Sequence, residues 1–151
     1  MKLEKAIKQE KFKSPYQKLM VNLAYTNSYV TSLMAGTLKP YDISMQQYNV
    51  LRILRGQYPK AVSINSITDR MIDRMSNASR LVEKLRKKSY IERCKCEDDK
   101  RRVDVTLTDK GIHILKELDE IMPEMEKFIH HLDKTEVENI NELLDKLRKN
   151  E

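Results

Sequence analysis

The apolar residues of this 151-residue chain change their spacing twice, and that change restricts what the chain can fold into. Up to Lys88 they recur every three to four positions, as on a helix; from Tyr90 to Leu107 they alternate, as on a strand; from Ile112 the helical spacing returns. Two short strands are therefore set inside a helical chain. Three Gly, four Pro and 6% aromatic residues argue against a small all-β barrel dense in turns. The length is that of one domain, or of one small domain with helical extensions. Such a chain buries roughly 68–70% of its unfolded surface, enough for a core without disulfides or metals.

Local signals place the elements. Ser14-Pro15 reads as N-cap and first residue of a long helix that carries Leu19, Met20, Leu23 and Leu33, with Gly36 as its breaker. Ser44-Met45-Gln46-Gln47 fits a capping box, and Tyr48, Leu51 and Leu54 continue the helix it opens. Ser63 caps a short third helix with Ile64, Ile67 and Met71, and a fourth follows within a few residues with Ala78, Leu81, Val82 and Leu85 on one face. That short connection predicts a helix-turn-helix. Tyr90 to Cys96 and Arg102 to Leu107 alternate, and the polar tip Glu97 to Arg101 joins them into a wing. Thr108-Asp109-Lys110-Gly111 opens a long helix, and Thr135-Glu136-Val137-Glu138 reads as a capping box before Ile140, Leu143, Leu144 and Leu147. The expected fold is mainly α: six helices with a two- to three-stranded wing.

The charge is not spread evenly. Met1 to Lys39 holds seven basic and two acidic residues, a balance of +5, and Gly111 to Glu151 holds six and eleven, a balance of −5. The ends cancel, as a lobe built from both termini requires. The net charge of +6 then belongs to the middle, and Arg74 to Arg102 alone, with eleven basic and five acidic residues, accounts for it. A basic segment this concentrated fits an anion-binding surface, with nucleic acid the leading candidate and a solvated lysine-rich surface the plain alternative.

The fourth helix presents Ser76, Asn77, Arg80, Lys84 and Lys87 opposite its apolar face. Short polar residues stand first and cations follow, the order a DNA-reading helix needs, because its N-terminal residues reach base edges while flanking cations meet phosphates. Arg pairs with guanine, Asn with adenine, and Ser with bases or phosphate. An ordinary amphipathic helix has the same periodicity, so the wing matters. Its tip supplies Asp99, Lys100, Arg101 and Arg102, and a narrow minor groove attracts Arg. Asp99 stands two residues before Arg101 and is placed to hold its guanidinium through a charge-assisted fork.

The stretch from Leu38 to Ser44, then Gln47 to Leu51, then SNASRLVEKLRKKSYIER and DDKRRVDVTLTDKG, resembles the multiple antibiotic resistance regulator (MarR) family. Motif detail runs from about Leu38 to Gly111, and helix order extends the likeness over the chain. The resemblance implies a homodimeric winged helix-turn-helix transcription regulator, usually a repressor, with residues 1–37 and 111–151 as dimerisation helices and 38–110 as the DNA-binding domain. Ser76, Asn77, Ser79 and Arg80 then fall on the recognition helix, and Asp99 and Arg101 on the wing's D-x-R. Two positions depart from the family pattern: Asp42 and Ser89 stand where it usually has Gly. A left-handed Ser89 would carry a modest strain relative to Gly. The family also implies a double-stranded, near-palindromic DNA operator and a small aromatic or phenolic effector. Tyr25, Tyr29, Tyr48 and Arg52, with Tyr16, are the side chains placed to line such a cleft, although Tyr at helical spacing also serves core or interface.

Other signals carry less. Cys94 and Cys96 share a strand face and diverge too far for an easy disulfide. Oxidant-sensing relatives use a Cys near the start of the first helix, where this chain has none. His130 and His131 are adjacent, about 100° apart on a helix, and do not make a same-face metal pair. No phosphate loop, HExxH or catalytic triad order is present, so neither cofactor, metal nor enzyme activity is expected. No run of about 18 apolar residues predicts a membrane span, and the N-terminus lacks an apolar secretory region, which suits a cytoplasmic protein acting at the nucleoid of a bacterium or archaeon. The rival reading is a basic interaction module that binds an acidic partner or an anionic surface without sequence specificity.

Overall fold

A computed structural model describes residues 1–95 and 103–148. In chain order it contains α1 (Leu3–Ile7), α2 (Pro15–Leu38), a 3-10 turn (Lys39–Tyr41), α3 (Met45–Arg55), β1 (Val62–Ser63), α4 (Ile64–Thr68), α5 (Ala78–Lys87), β2 (Ile91–Lys95), β3 (Val103–Leu107), α6 (Asp109–Glu126), a second 3-10 turn (Lys127–Ile129) and α7 (Lys134–Leu147). The fold is the expected mainly helical one with a small antiparallel sheet. Residues 1–115 form one compact unit and residues 116–151 a second. Among the described residues no helix is long and apolar enough to cross a membrane.

Serine caps set three helix starts where the sequence puts them. Ser14, Ser44 and Ser63 each accept the backbone N–H three residues on, from Gln17, Gln47 and Ser66. Gln47 completes the box at α3 by accepting the Ser44 N–H at 2.9 Å. Other boundaries differ. Gly36 does not stop α2, which runs to Leu38, because the following Lys39–Tyr41 turn continues its right-handed winding. The box at α7 is formed two residues earlier than expected, by Asp133 and Glu136, whose side chains each accept the other's N–H at 2.9 Å. A carboxylate serves that end better than Thr135, since it also meets the positive end of the helix dipole.

Three features are additional to the sequence reading. The five-residue α1 buries Leu3 and is tied to α2 by the Glu4–Lys18 ion pair. Strand β1 pairs antiparallel with β3, Val62 opposite Val105, giving the sheet order β1-β3-β2. Helix α4 ends at Thr68, so Met71 lies beyond it, and residues 69–77 separate α4 from α5. The connection is longer than a tight turn.

The core of the first unit joins these pieces. Val50, Leu51 and Leu54 of α3, Ile67 of α4, Val82 and Leu85 of α5, Ile91 of β2 and Val105 of β3 are all buried. Helix α5 packs on α3, α4 and β2, and β3 packs on α3 and α4. One face of α5 is thereby fixed and the other left outward.

The C-terminal end of α5 is closed by a left-handed residue. Ser89 has φ 61°, the Tyr90 N–H reaches the Leu85 carbonyl at 3.1 Å, and the Ser89 N–H reaches that of Arg86 at 2.9 Å, a Schellman motif. Asp42, the other departure from the family's Gly pattern, has φ 52°. The two turns are bound together, since Lys88 Nζ meets Asp42 Oδ2 at 2.7 Å and also donates to the Asp42 carbonyl. Lys88 holds the Asp42 carboxyl below its ordinary range.

The start of α6 docks on the same place. Thr108 donates through Oγ1 to the Ser89 carbonyl at 2.7 Å and through N–H to the Tyr90 carbonyl at 3.1 Å, while its Oγ1 accepts the Gly111 N–H. Lys110 Nζ donates to the Lys88 carbonyl at 2.9 Å and lies 5.0 Å from the Tyr90 ring centre. A Cβ on Gly111 would stand 2.0 Å from the Tyr90 carbonyl oxygen, closer than contact allows. This explains why the glycine ends the T-x-x-G stretch.

Two substitutions test this junction in opposite directions. Gly111→Ala is expected to lower unfolding free energy by about 1–3 kcal/mol, the range for forcing an added group into a packed site, and an unchanged urea midpoint would contradict it. Ser89→Gly is expected to raise it by up to about 1 kcal/mol, since left-handed geometry costs a non-glycine residue roughly 1–2 kcal/mol and glycine's greater unfolded freedom offsets part.

Candidate nucleic-acid interface

Helix α5 is ten residues long and buries Ala78, Val82 and Leu85. Successive residues turn by 100°, so Arg80, Lys84 and Lys87 fall within an arc of about 60° on the opposite side, with Ser79 on the adjoining surface. All four are exposed. Arg80, Lys84 and Lys87 form no ion pair among the described residues. Glu83 is occupied elsewhere: Arg86 forks onto it through Nε at 3.0 Å and Nη2 at 2.8 Å, and Arg93 of β2 reaches it at 3.0 Å. Arg86 holds the Glu83 carboxyl below its ordinary range, and Glu83 raises the guanidinium in turn. The only acid on the helix is thus neutralised beside the free cations.

Ser76 and Asn77 stand ahead of the helix. Asn77 is the N-cap, its Oδ1 accepting the Arg80 N–H at 2.9 Å, and Ser76 donates through its hydroxyl to Asp73 Oδ2 at 2.8 Å. The sequence places both residues on the helix face; the structure gives them the work of starting it. Asn77 remains exposed and Ser76 is half-buried. Asp99, Lys100, Arg101 and Arg102 lie outside the described residues, as does Cys96. The strands leading to them are in register, Ile91 opposite Leu107 and Lys95 opposite Val103.

A cavity of about 560 Å³ opens beside this unit, between α2, α3 and the turn that precedes α5. Tyr48 and Arg52 line it, and the Arg52 guanidinium carbon lies 5.8 Å from the Tyr48 ring centre. Helix α2 contributes Asn27, Val30, Thr31 and Met34. Tyr25 and Tyr29 are not part of the lining: they sit about half a turn round α2 from that stripe and are 40% and 50% exposed. The sequence reading missed Asn49, Gln46 and Asp73, which also line the cavity and carry no motif of their own.

Cys94 is half-buried opposite Asp104 in the sheet. Burial, reinforced by Glu92 and Asp104, pushes its thiol up, so it is not an activated thiolate.

The MarR family profile matches residues 43–103. The HTH-type transcriptional regulator Hpr of Bacillus thuringiensis is 34% identical over 81 residues, which are 54% of this chain and 43% of that relative. The match thus spans less than half the length of that protein. Among solved structures, the Staphylococcus aureus MepR–DNA complex superposes with a TM-score of 0.75 at 24% identity, covering 92% of this chain and 98% of that one. The Bordetella bronchiseptica regulator BpsR, described for regulation of its DNA binding by 6-hydroxynicotinic acid, superposes with a TM-score of 0.73 at 20% identity over 87% and 98%. The last two establish the fold. Over the helix-turn-helix and first wing strand the chain is similar to the MarR family, and its fold is that of these winged-helix proteins.

Proposed function

We propose that this protein is a sequence-specific DNA-binding transcription regulator that represses as a homodimer, with α5 of each copy in successive major grooves of a near-palindromic operator. Half-sites are then about one helical turn, roughly 10 bp, apart. The observation that carries this reading is the outward face of α5, where Arg80, Lys84 and Lys87 share one narrow arc while the only acid on the helix is engaged by Arg86 and Arg93. Arg80, nearest the N-terminal end, is the base-reading side chain, with Asn77 and Ser79 beside it; Lys84 meets phosphate. Ser76 supports that end through Asp73. Asp99, Lys100, Arg101 and Arg102 serve the flanking minor groove. The MepR structure, solved with DNA, supports the assignment by its shared fold.

Dimerisation falls to the terminal segments, 1–37 and 111–151. Tyr16, Leu19 and Met20 are exposed on α2 of the first unit, and Ile140, Leu143 and Leu147 are exposed on α7 of the second, apolar faces that each suit a second copy. The cavity at Tyr48 and Arg52 suits a small aromatic or phenolic anion, for which an aromatic wall and a cation stand ready. Occupancy then favours a dimer whose helix spacing no longer fits the operator. That BpsR is regulated by 6-hydroxynicotinic acid supports this arrangement.

Selection from random duplex DNA tests the reading. Enrichment of a two-fold symmetric sequence is expected, and enrichment of none would return the protein to a basic module without specificity. On the selected duplex, Arg80→Ala is expected to cost about 1–3 kcal/mol and to relax preference at one base pair per half-site. Lys84→Ala should weaken all duplexes alike and reduce the slope of affinity against salt by about one. Arg101→Ala should weaken the selected duplex at constant salt, and unchanged affinity in a fluorescence-anisotropy titration would remove the wing from the interface.

A further inference from the structure

The turn that carries the chain from α4 into α5 is tied to the wall of the cavity by a hydrogen bond. Residues 69–77 form only turns and bends. Met71 is buried, but Ile72 and Met75 are 88% and 94% exposed, so two of the turn's three large apolar side chains anchor nothing. Instead Asn49 of α3 accepts the Ile72 N–H through Oδ1 at 2.9 Å, a bond between residues 23 positions apart. Asp73, next along, accepts the Met75 N–H at 3.1 Å and the Ser76 hydroxyl at 2.8 Å. The Gln46 side chain, on the same cavity wall, also favours the charged carboxylate. These bonds, the Ser76 hydroxyl foremost, hold its carboxyl below the ordinary range. Asn77 then caps the Arg80 N–H. The series runs without a break from α3 to the first turn of α5.

Asn49, Gln46, Ile72 and Asp73 all line the 560 Å³ cavity. The residues that bound the cavity are therefore those that hold the N-terminal end of α5.

We infer that Asn49 is a positioning residue for DNA recognition: through the Ile72 N–H it fixes the turn from which Ser76, Asn77 and Arg80 are presented, and it makes that turn answerable to the cavity wall. Removing the Asn49 acceptor leaves the helix intact, since its own cap and buried face are untouched. What changes is where its first turn points. The inference rests on α5 being the DNA-reading helix, and the experiment separates the two.

The test uses the full chain and its Asn49→Ala and Asn49→Asp variants, the second keeping a side-chain oxygen at the same position. Amide exchange by NMR reads the turn directly. In Asn49→Ala the Ile72 amide is expected to exchange roughly fivefold faster or more, the loss of one hydrogen bond, with Leu51 and Leu85 unchanged. Anisotropy against the selected duplex and a scrambled one reads the consequence. Affinity for the selected duplex is expected to fall about tenfold with the scrambled duplex unaffected, and Asn49→Asp to recover most of that ratio. An unchanged ratio beside a faster Ile72 amide would overturn the inference. So would an equal loss on both duplexes with a lowered melting temperature, which marks a merely structural residue. If the unaltered chain enriches no sequence, the functional reading is what fails, and unchanged exchange at Ile72 and Met75 in Asn49→Ala would still refute the positioning role.

Discussion

Burial of Ala78, Val82 and Leu85 against α3, α4 and β2 is the contact on which the rest of this structure depends. A ten-residue helix is too short to persist alone in water, so α5 exists as a helix because that face is packed. The same packing decides which side remains outward. Arg80, Lys84 and Lys87 are exposed together because Val82 and Leu85 are buried together, and a helix offers no third arrangement. The cationic face and the core are two consequences of one periodicity.

Packing fixes the rotation of α5, and its two ends fix its position. At the C-terminal end, Ser89 and Asp42 both adopt left-handed geometry, Lys88 binds their turns together, and Thr108, Lys110 and Gly111 dock α6 on the same carbonyls. That end is crowded, to the point that a single added carbon at Gly111 does not fit. At the N-terminal end, the turn through Ile72 and Asp73 is tied to α3 by the hydrogen bond from the Ile72 N–H to Asn49. The helix is thus held at its C-terminal end by an ion pair, hydrogen bonds and close packing, and at its N-terminal end by fewer contacts. That second end is the one that carries Asn77 and Arg80.

Much of this was legible in the sequence, and where it was not the reason is physical. Caps at Ser14, Ser44 and Ser63 could be read because a hydroxyl three residues before a free N–H is a local arrangement. The apolar faces of α3 and α5 could be read from their period. Strand β1 has two residues, too few for alternation to register, and its existence depends on β3, some forty positions away. Helical spacing alone carries α4 on to Met71, which keeps step with Ile64 and Ile67, although a looser turn is what buries it. Asn49 was invisible for a similar reason: its partner is a backbone N–H 23 positions on, and no motif announces a side chain that bonds to backbone. Residue type points Tyr25 and Tyr29 to the cavity, whereas the stripe on α2 that lines it runs through Asn27, Val30, Thr31 and Met34.

The central claim is that the outward face of α5 reads bases in the major groove. Methylation interference on the selected duplex tests it most directly, because dimethyl sulfate marks guanine at N7 in the major groove and adenine at N3 in the minor groove. The account predicts that N7 methylation of a guanine in each half-site blocks binding, and that Arg80→Ala removes that block at one guanine per half-site. Interference confined to adenine N3, or a pattern unchanged by Arg80→Ala, would contradict it.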